Sequence, residues 1–206
     1  MWDIMVRGGP LMWPLLACSV VSLAVIIERV VFWALEARGR DEATVERLLR
    51  EAEQGRFDQA AAIGQQASDL AARVLAAGLA HRDWGLSEAM EVAAEEELRA
   101  TKRGLAVLDT IITLAPLLGI LGTVLGIIVS FNLLGARGIQ DPKAVTGGIA
   151  QALLTTAAGL AVAIVTLLPF NYFNSRVRQV TRRIENAATR LEVAYRKGLG
   201  NNHATP

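Results

Sequence analysis

Two uncharged runs set the pattern of this chain. Residues 110–136 read TIITLAPLLGILGTVLGIIVSFNLLGA and residues 144–175 read AVTGGIAQALLTTAAGLAVAIVTLLPFNYFNS, with the polar link RGIQDPK between them. A helix rises about 1.5 Å per residue, so about 20 apolar residues cross the hydrocarbon layer. Each run is long enough to span. Residues 8–27 also carry no charge, and LMWPLLACSVVSLAVII leads there into Glu28 and Arg29. A cleaved signal peptide is the competing reading of that stretch. The run is long for one, and no small-x-small cleavage site follows it before Glu28, so a retained first span is expected.

Between the first and second runs the pattern changes to a helical stripe. VERLLREAEQ, FDQAAAIGQQ, DLAARVLAAGLA and SEAMEVAAEEELRATKRGLAVL place apolar residues three and four apart with charges between them, the mark of amphipathic helices. Breaks are expected at Gly39, at Gln54–Gly55 and in HRDWG, residues 81–85. Ser87 reads as an N-cap with Glu88 in the first turn. With no Gly or Pro until Gly104, one helix is expected to run from Ser87 straight into the second span. Asp141-Pro142 reads as an N-cap followed by proline at the first helical position of the third span. After it, SRVRQVTRRIENAATRLEVAYRKG continues as a basic helix to about Gly198. Its arginines are candidates for contact with anionic membrane lipid or for the rim of a pore mouth. The last residues, GNNHATP, read as disordered.

The expected class is therefore all-α. It is an integral membrane protein with three transmembrane helices and long helices extending into the cytoplasm. The expected order is an outer N-terminal segment (1–10), span one (11–35), a cytoplasmic helical domain (36–104) and span two (105–135). An outer loop (136–143), span three (144–173) and a cytoplasmic helix and tail (174–206) follow.

Composition agrees with alternating membrane and aqueous segments. The chain is 52% hydrophobic yet 20% charged, with a mean hydropathy of +0.36. The net charge of +1 gives no reason to expect nucleic acid. Its distribution is informative: of 21 Lys and Arg, ten lie in residues 36–106 and seven after Phe173. Basic residues favour the cytoplasmic side, which places both long polar segments inside and the N-terminus outside. The single Cys18 excludes an intrachain disulfide and a cysteine metal cluster.

The candidate chemistry lies in the spans. Gly119, Gly122 and Gly126 in the second and Gly159 in the third sit at helical spacing, the small-residue pattern that lets helices approach closely. Gln151, Thr155 and Gly159 share one face of the third span, and Thr156 borders it. A glutamine in hydrocarbon needs a partner and is expected to face protein or water. Each threonine has a plain alternative, a bond back to the carbonyl one turn earlier. Thr123, Thr155 and Thr156 taken with the glycines read as a hydroxylated interior seam, a candidate ion path. Pro116 frees a carbonyl one turn earlier and is a candidate kink. Glu28, Arg29 and Asp109 lie at span boundaries. Glu28 and Arg29 are candidates for snorkelling or pairing, and the plain reading of Asp109 is an ion pair with Lys102 or Arg103. No nucleophile–base pair or metal-ligand cluster stands out. An enzyme is not expected, nor a cofactor.

APLLGILGTVLGIIVSF, DPKAVTGGIAQALLTTAAGLAVAI and FNYF together resemble the ExbB/TolQ proteins, relatives of the MotA flagellar stator subunit. The likeness is strong over residues 105–173, and the Glu28-Arg29 pair and three-span layout agree with it. The resemblance implies a ring of five subunits around the helices of a smaller, single-span ExbD/TolR-like partner in the bacterial cytoplasmic (inner) membrane. It implies that protons passing an aspartate on the partner's helix drive rotation, which acts on a TonB- or TolA-like protein spanning the periplasm. It assigns Thr123 and Thr156 to the pore lining. Two departures stand out. Gln151 replaces the glutamate of GIAEAL, which puts a proton relay there in doubt, and Ala163-Ile164-Val165-Thr166 replaces AIPA. A passive channel, a scaffold, or the stator of another ion-driven machine are the alternatives. An ExbB role against a TolQ role, and H⁺ against Na⁺, stay open.

Overall fold

The computed structural model describes residues 8–137 and 142–204, and every element among them is helical. They are α1 (Met12–Gly39), α2 (Glu42–Glu53), α3 (Phe57–Gln65), α4 (Leu70–Ala80), α5 (Arg82–Lys102), α6 (Leu105–Arg137) and α7 (Pro142–Ala204). Three of them, α1, α6 and α7, contain stretches long and apolar enough to cross a membrane. The chain divides into two units, Met1–Arg29 with Gly104–Phe173, and Val30–Arg103 with Asn174–Pro206. The division falls within α1 and α7.

The second unit owes its shape to an alanine-rich core. Leu48, Ala52, Ala60, Ala72, Leu75, Leu79, Met90, Ile184 and Leu191 are buried together, drawn from α2, α3, α4, α5 and α7. Small side chains let the short helices pack tightly. A Cβ on Gly64 would lie 2.5 Å from the carbonyl oxygen of Ala72 and 2.8 Å from Leu48.

One carboxylate locks this unit. Asp69 is completely buried at the N-cap of α4. Its Oδ1 accepts from the main-chain amides of Ala71 and Ala72 at 2.9 and 3.2 Å, satisfying donors that the first helical turn leaves open. Its Oδ2 accepts from the amide of Asp41 at 2.8 Å and from Arg183 of α7 at 2.6 Å. Asp41 in turn caps α2, and the Thr44 hydroxyl bonded to it holds its carboxyl below the usual range.

In the first unit, Met12, Leu15 and Ala115 are buried against Leu118, Ala158 and Val162, so α1, α6 and α7 meet along apolar side chains. The outward faces stay apolar: Leu23, Ile27, Leu117, Ile120, Phe131, Leu153, Ile164 and Leu168 are all exposed. Large apolar side chains facing outward on long helices suit hydrocarbon rather than water.

Local structure departs from the sequence reading at three places. The helix expected from Ser87 into the second span is broken: α5 ends at Lys102, Arg103 leaves helical geometry, and Gly104 has φ +76°. That left-handed conformation costs glycine little. The Gly104 carbonyl then accepts from Val107 and Leu108 to start α6, and a Cβ there would lie 2.9 Å from Val25 of α1. Ser87 is no N-cap. The helix begins at Arg82 and passes a non-helical Gly85, while the Ser87 hydroxyl donates to Glu192 at 2.7 Å. The C-terminal helix runs past Gly198 to Ala204. Pro116 is accommodated within a continuous α6. The breaks expected at Gly39 and Gln54–Gly55 are present, and α7 begins at Pro142. Asp141, the expected cap, lies outside the described residues.

Candidate functional site

The facing surfaces of α6 and α7 are built from the smallest side chains. A Cβ on Gly119 would lie 3.0 Å from the Cα of Thr156, one on Gly122 2.5 Å from Thr155 Cγ2, and one on Gly126 2.8 Å from Ala152 Cβ. From the other side, a Cβ on Gly159 would lie 2.5 Å from the Ala115 carbonyl, and Gly148 abuts Ser130. Glycines alternate across the seam, so the two backbones approach to a distance that larger residues would forbid. The sequence spacing marks this face. That its partner is the following helix of the same chain emerges only from the fold.

Close approach puts a hydroxyl within reach of a neighbouring main chain. Thr156 Oγ1 donates to the Gly119 carbonyl at 2.8 Å, a bond between the two helices. Thr155, one residue earlier, is buried, and its Oγ1 lies 2.9 Å from both the Gly8 and the Gln151 carbonyls. With one hydrogen it donates to one at a time. Thr123 is half-buried and donates to Ile120 of its own helix at 2.6 Å, and buried Thr166 does the same to Val162 at 2.7 Å. The plain alternative weighed for each threonine therefore describes Thr123 and Thr166, but not Thr156.

Gln151 is half-buried beside the segment that precedes α1. Gly9, at φ +77°, lies so close that a Cβ there would collide with the Gln151 amide. Gly8, Pro10, Gly122, Gly126, Gln151 and Thr155 line a cavity of about 230 Å³. Contact of Gly8 and Gly9 with Thr155 and Gln151 was not legible in the sequence, because nothing in the pattern ties residues so far apart. Ser130, buried and donating to the Gly126 carbonyl at 2.9 Å, was also missed.

The boundary residues behave separately. Arg29 is buried, only 2% exposed, and pairs with the adjacent Glu28, its Nε donating to Oε2 at 2.6 Å. Paired hydrogen bonds to a carboxylate fix the direction of the guanidinium. Asp109 is exposed and makes no ion pair among the described residues. Among the described residues, no group of His, Cys, Asp and Glu is arranged to hold a metal ion.

Comparison with known proteins gives this architecture a family. The sequence pattern of the MotA/TolQ/ExbB proton channel family matches residues 66–186, more than half of the chain, and so takes in α4, α5, α6 and the apolar part of α7, but not α1. An ExbB-like biopolymer transport protein of Synechocystis, numbered 3, is 36% identical over 195 residues, covering 92% of each chain. A second from that organism, numbered 1, is 37% identical over 95% of this chain and 79% of its own. The biopolymer transport protein ExbB of Aquifex aeolicus is 42% identical over 86 residues, 42% of this chain and 57% of its own. An all-helical chain with three spans and a glycine-lined, hydroxyl-bearing seam is a member of the MotA/TolQ/ExbB proton channel family.

Proposed function

We propose that this protein is the ring-forming subunit of a proton-driven motor in the bacterial inner membrane, with its N-terminus periplasmic and its C-terminus cytoplasmic. Five copies surround the spans of a single-span ExbD/TolR-like partner, and the complex passes force to a TonB- or TolA-like protein. Family membership and the names of the relatives support this reading. The observation that carries it to particular residues is the Thr156–Gly119 bond within a seam of small residues, in spans otherwise made of apolar side chains.

The chemistry follows from where the hydroxyl hydrogens point. Thr156 and Thr123 both donate to main-chain carbonyls. Their oxygens keep lone pairs for accepting. Such a lining receives a hydrogen bond from a protonated carboxyl more readily than it solvates a carboxylate. A carboxyl of the partner therefore passes along the seam in its neutral form and ionises where it meets water, since burial disfavours the charged form. A proton crossing about 100 mV releases about 2.3 kcal/mol, enough to bias a step of the ring against its partner. Gln151 carries no proton, so the relay rests on the partner's carboxyl. No catalytic role and no cofactor enter the mechanism.

The test compares Thr123→Val and Thr156→Val in cells. Complex yield near normal with strongly reduced proton-driven work is the expected result. Full work from both variants at normal yield would remove the threonines from the ion path.

A further inference from the structure

The second unit holds a cavity of about 430 Å³ that the motor chemistry does not use. Its wall includes Trp33, Glu36 and Arg40 of α1 and Arg176, Gln179 and Arg183 of α7. Three guanidiniums thus face one space. Arg183 commits one nitrogen to the buried Asp69 and retains further N–H donors. Arg40 lies 3.9 Å from an exposed Glu42, a loose pair on the surface. Trp33 adds a second, independent sign. Its Nε1 is buried and has no hydrogen-bond partner among the described residues. Buried donors are nearly always satisfied, so an orphan in a cavity wall points to a missing acceptor.

We infer that this cavity is a site for a phosphate group. Guanidiniums recognise phosphate through paired, charge-assisted N–H bonds, and the indole N–H supplies a neutral donor. Glu36 is the one acidic member of the wall and accepts from a hydroxyl or ammonium group next to the phosphate. Those donors are what a glycerol or ethanolamine headgroup carries. Position along the helices favours a lipid as the source. Trp33 lies six residues and Arg40 thirteen residues after Ile27, where the first apolar run ends, and Arg176 comes three residues after Phe173, where the third span ends. Headgroups lie at that level, and basic residues there attract anionic lipid. A free phosphate compound offers the same chemistry. The site is independent of ion passage and would stand if the motor reading fell.

The experiment titrates the full-length protein, purified in neutral detergent, while its thermal unfolding midpoint is followed. Phosphatidylglycerol is expected to raise the midpoint, and phosphatidylcholine, whose headgroup has no hydrogen-bond donor, is not. Arg40→Gln, Arg176→Gln and Trp33→Phe should each fold and raise the half-saturating phosphatidylglycerol concentration, by about tenfold for the arginines. Arg178→Gln, which lies on α7 but outside the cavity wall, should leave it unchanged. If inorganic phosphate gives the same shift, and the same variants weaken it, the phosphate site stands with a soluble source. No shift with either ligand, or a shift that the wall variants leave intact, overturns the proposal. Equal weakening by Arg178→Gln overturns it too, since general surface charge would then explain the binding.

Discussion

Thr156 and Gly119 are joined across the two helices of the spanning hairpin. The threonine hydroxyl donates to the glycine carbonyl at 2.8 Å, and a Cβ on that glycine would lie 3.0 Å from the threonine Cα. The bond exists because the glycine has no side chain to hold the backbones apart. Thr156→Ser keeps the hydroxyl and is expected to keep both assembly and activity. Thr156→Val keeps the shape but loses the bond, at a cost of about 1 kcal/mol. Comparing complex yield and proton-driven work in the two variants separates the hydroxyl's chemistry from its packing.

Size should matter more than polarity along the same seam. Gly122→Leu would force a large side chain into the space filled by Thr155, and Gly126→Leu into that filled by Ala152. Overpacking of this kind costs about 1–3 kcal/mol or more. Both variants should lose hairpin packing and accumulate poorly in membranes. Gly135→Leu is the control, because nothing lies within 4 Å of a Cβ there. Quantitative blotting of membrane fractions would decide it, and normal levels of both seam variants would mean that the helices can part without loss.

Gln151 gives a test of the N-terminal contact. If its amide serves only to pack against Gly9, Gln151→Leu should cost little activity. Gln151→Glu should then place a carboxyl in a confined space and lower yield unless water reaches the cavity. Thr155→Val removes the donor to Gly8 and should loosen the segment before α1, read as faster proteolysis there. Unchanged proteolysis would show that the Thr155 hydrogen stays on Gln151.

Asp69 is the most exacting position in the second unit. Asp69→Ala would orphan the amides of Ala71, Ala72 and Asp41 and leave Arg183 without its partner. Breaking a buried pair costs about 3–5 kcal/mol. Asp69→Asn keeps a helix-capping oxygen but loses the charge opposite Arg183, so its unfolding midpoint should fall between wild type and Asp69→Ala. Equal midpoints for Asn and Ala would assign the whole effect to the ion pair.

Orientation can be checked in intact cells. With Cys18 replaced by serine, single cysteines at Gln54 and Arg190 should be shielded from a membrane-impermeant thiol reagent, and one at Gly138 should react. Labelling at Gln54 would overturn the three-span orientation.

The sequence by itself determined what each stretch is. Uncharged runs of about 20 residues or more can only be spans or deep core, and a 3.6-residue stripe can only bury one face, so class and span number were legible without coordinates. The glycine spacing also marked Gly119, Gly122, Gly126 and Gly159 as places of close approach. What the tertiary structure decided was who meets whom. The partner of the glycine face is α7 of the same chain, Thr156 reaches across while Thr123 bonds back, and Gly8 receives Thr155. The break at Gly104 was decided there as well, where α1 comes within reach of the turn through Val25. Periodicity is a property of neighbours along one helix and survives in the sequence. A hydrogen bond spanning 37 or 147 residues has no local signature, because its energy is set by a distance that exists only after the helices have packed.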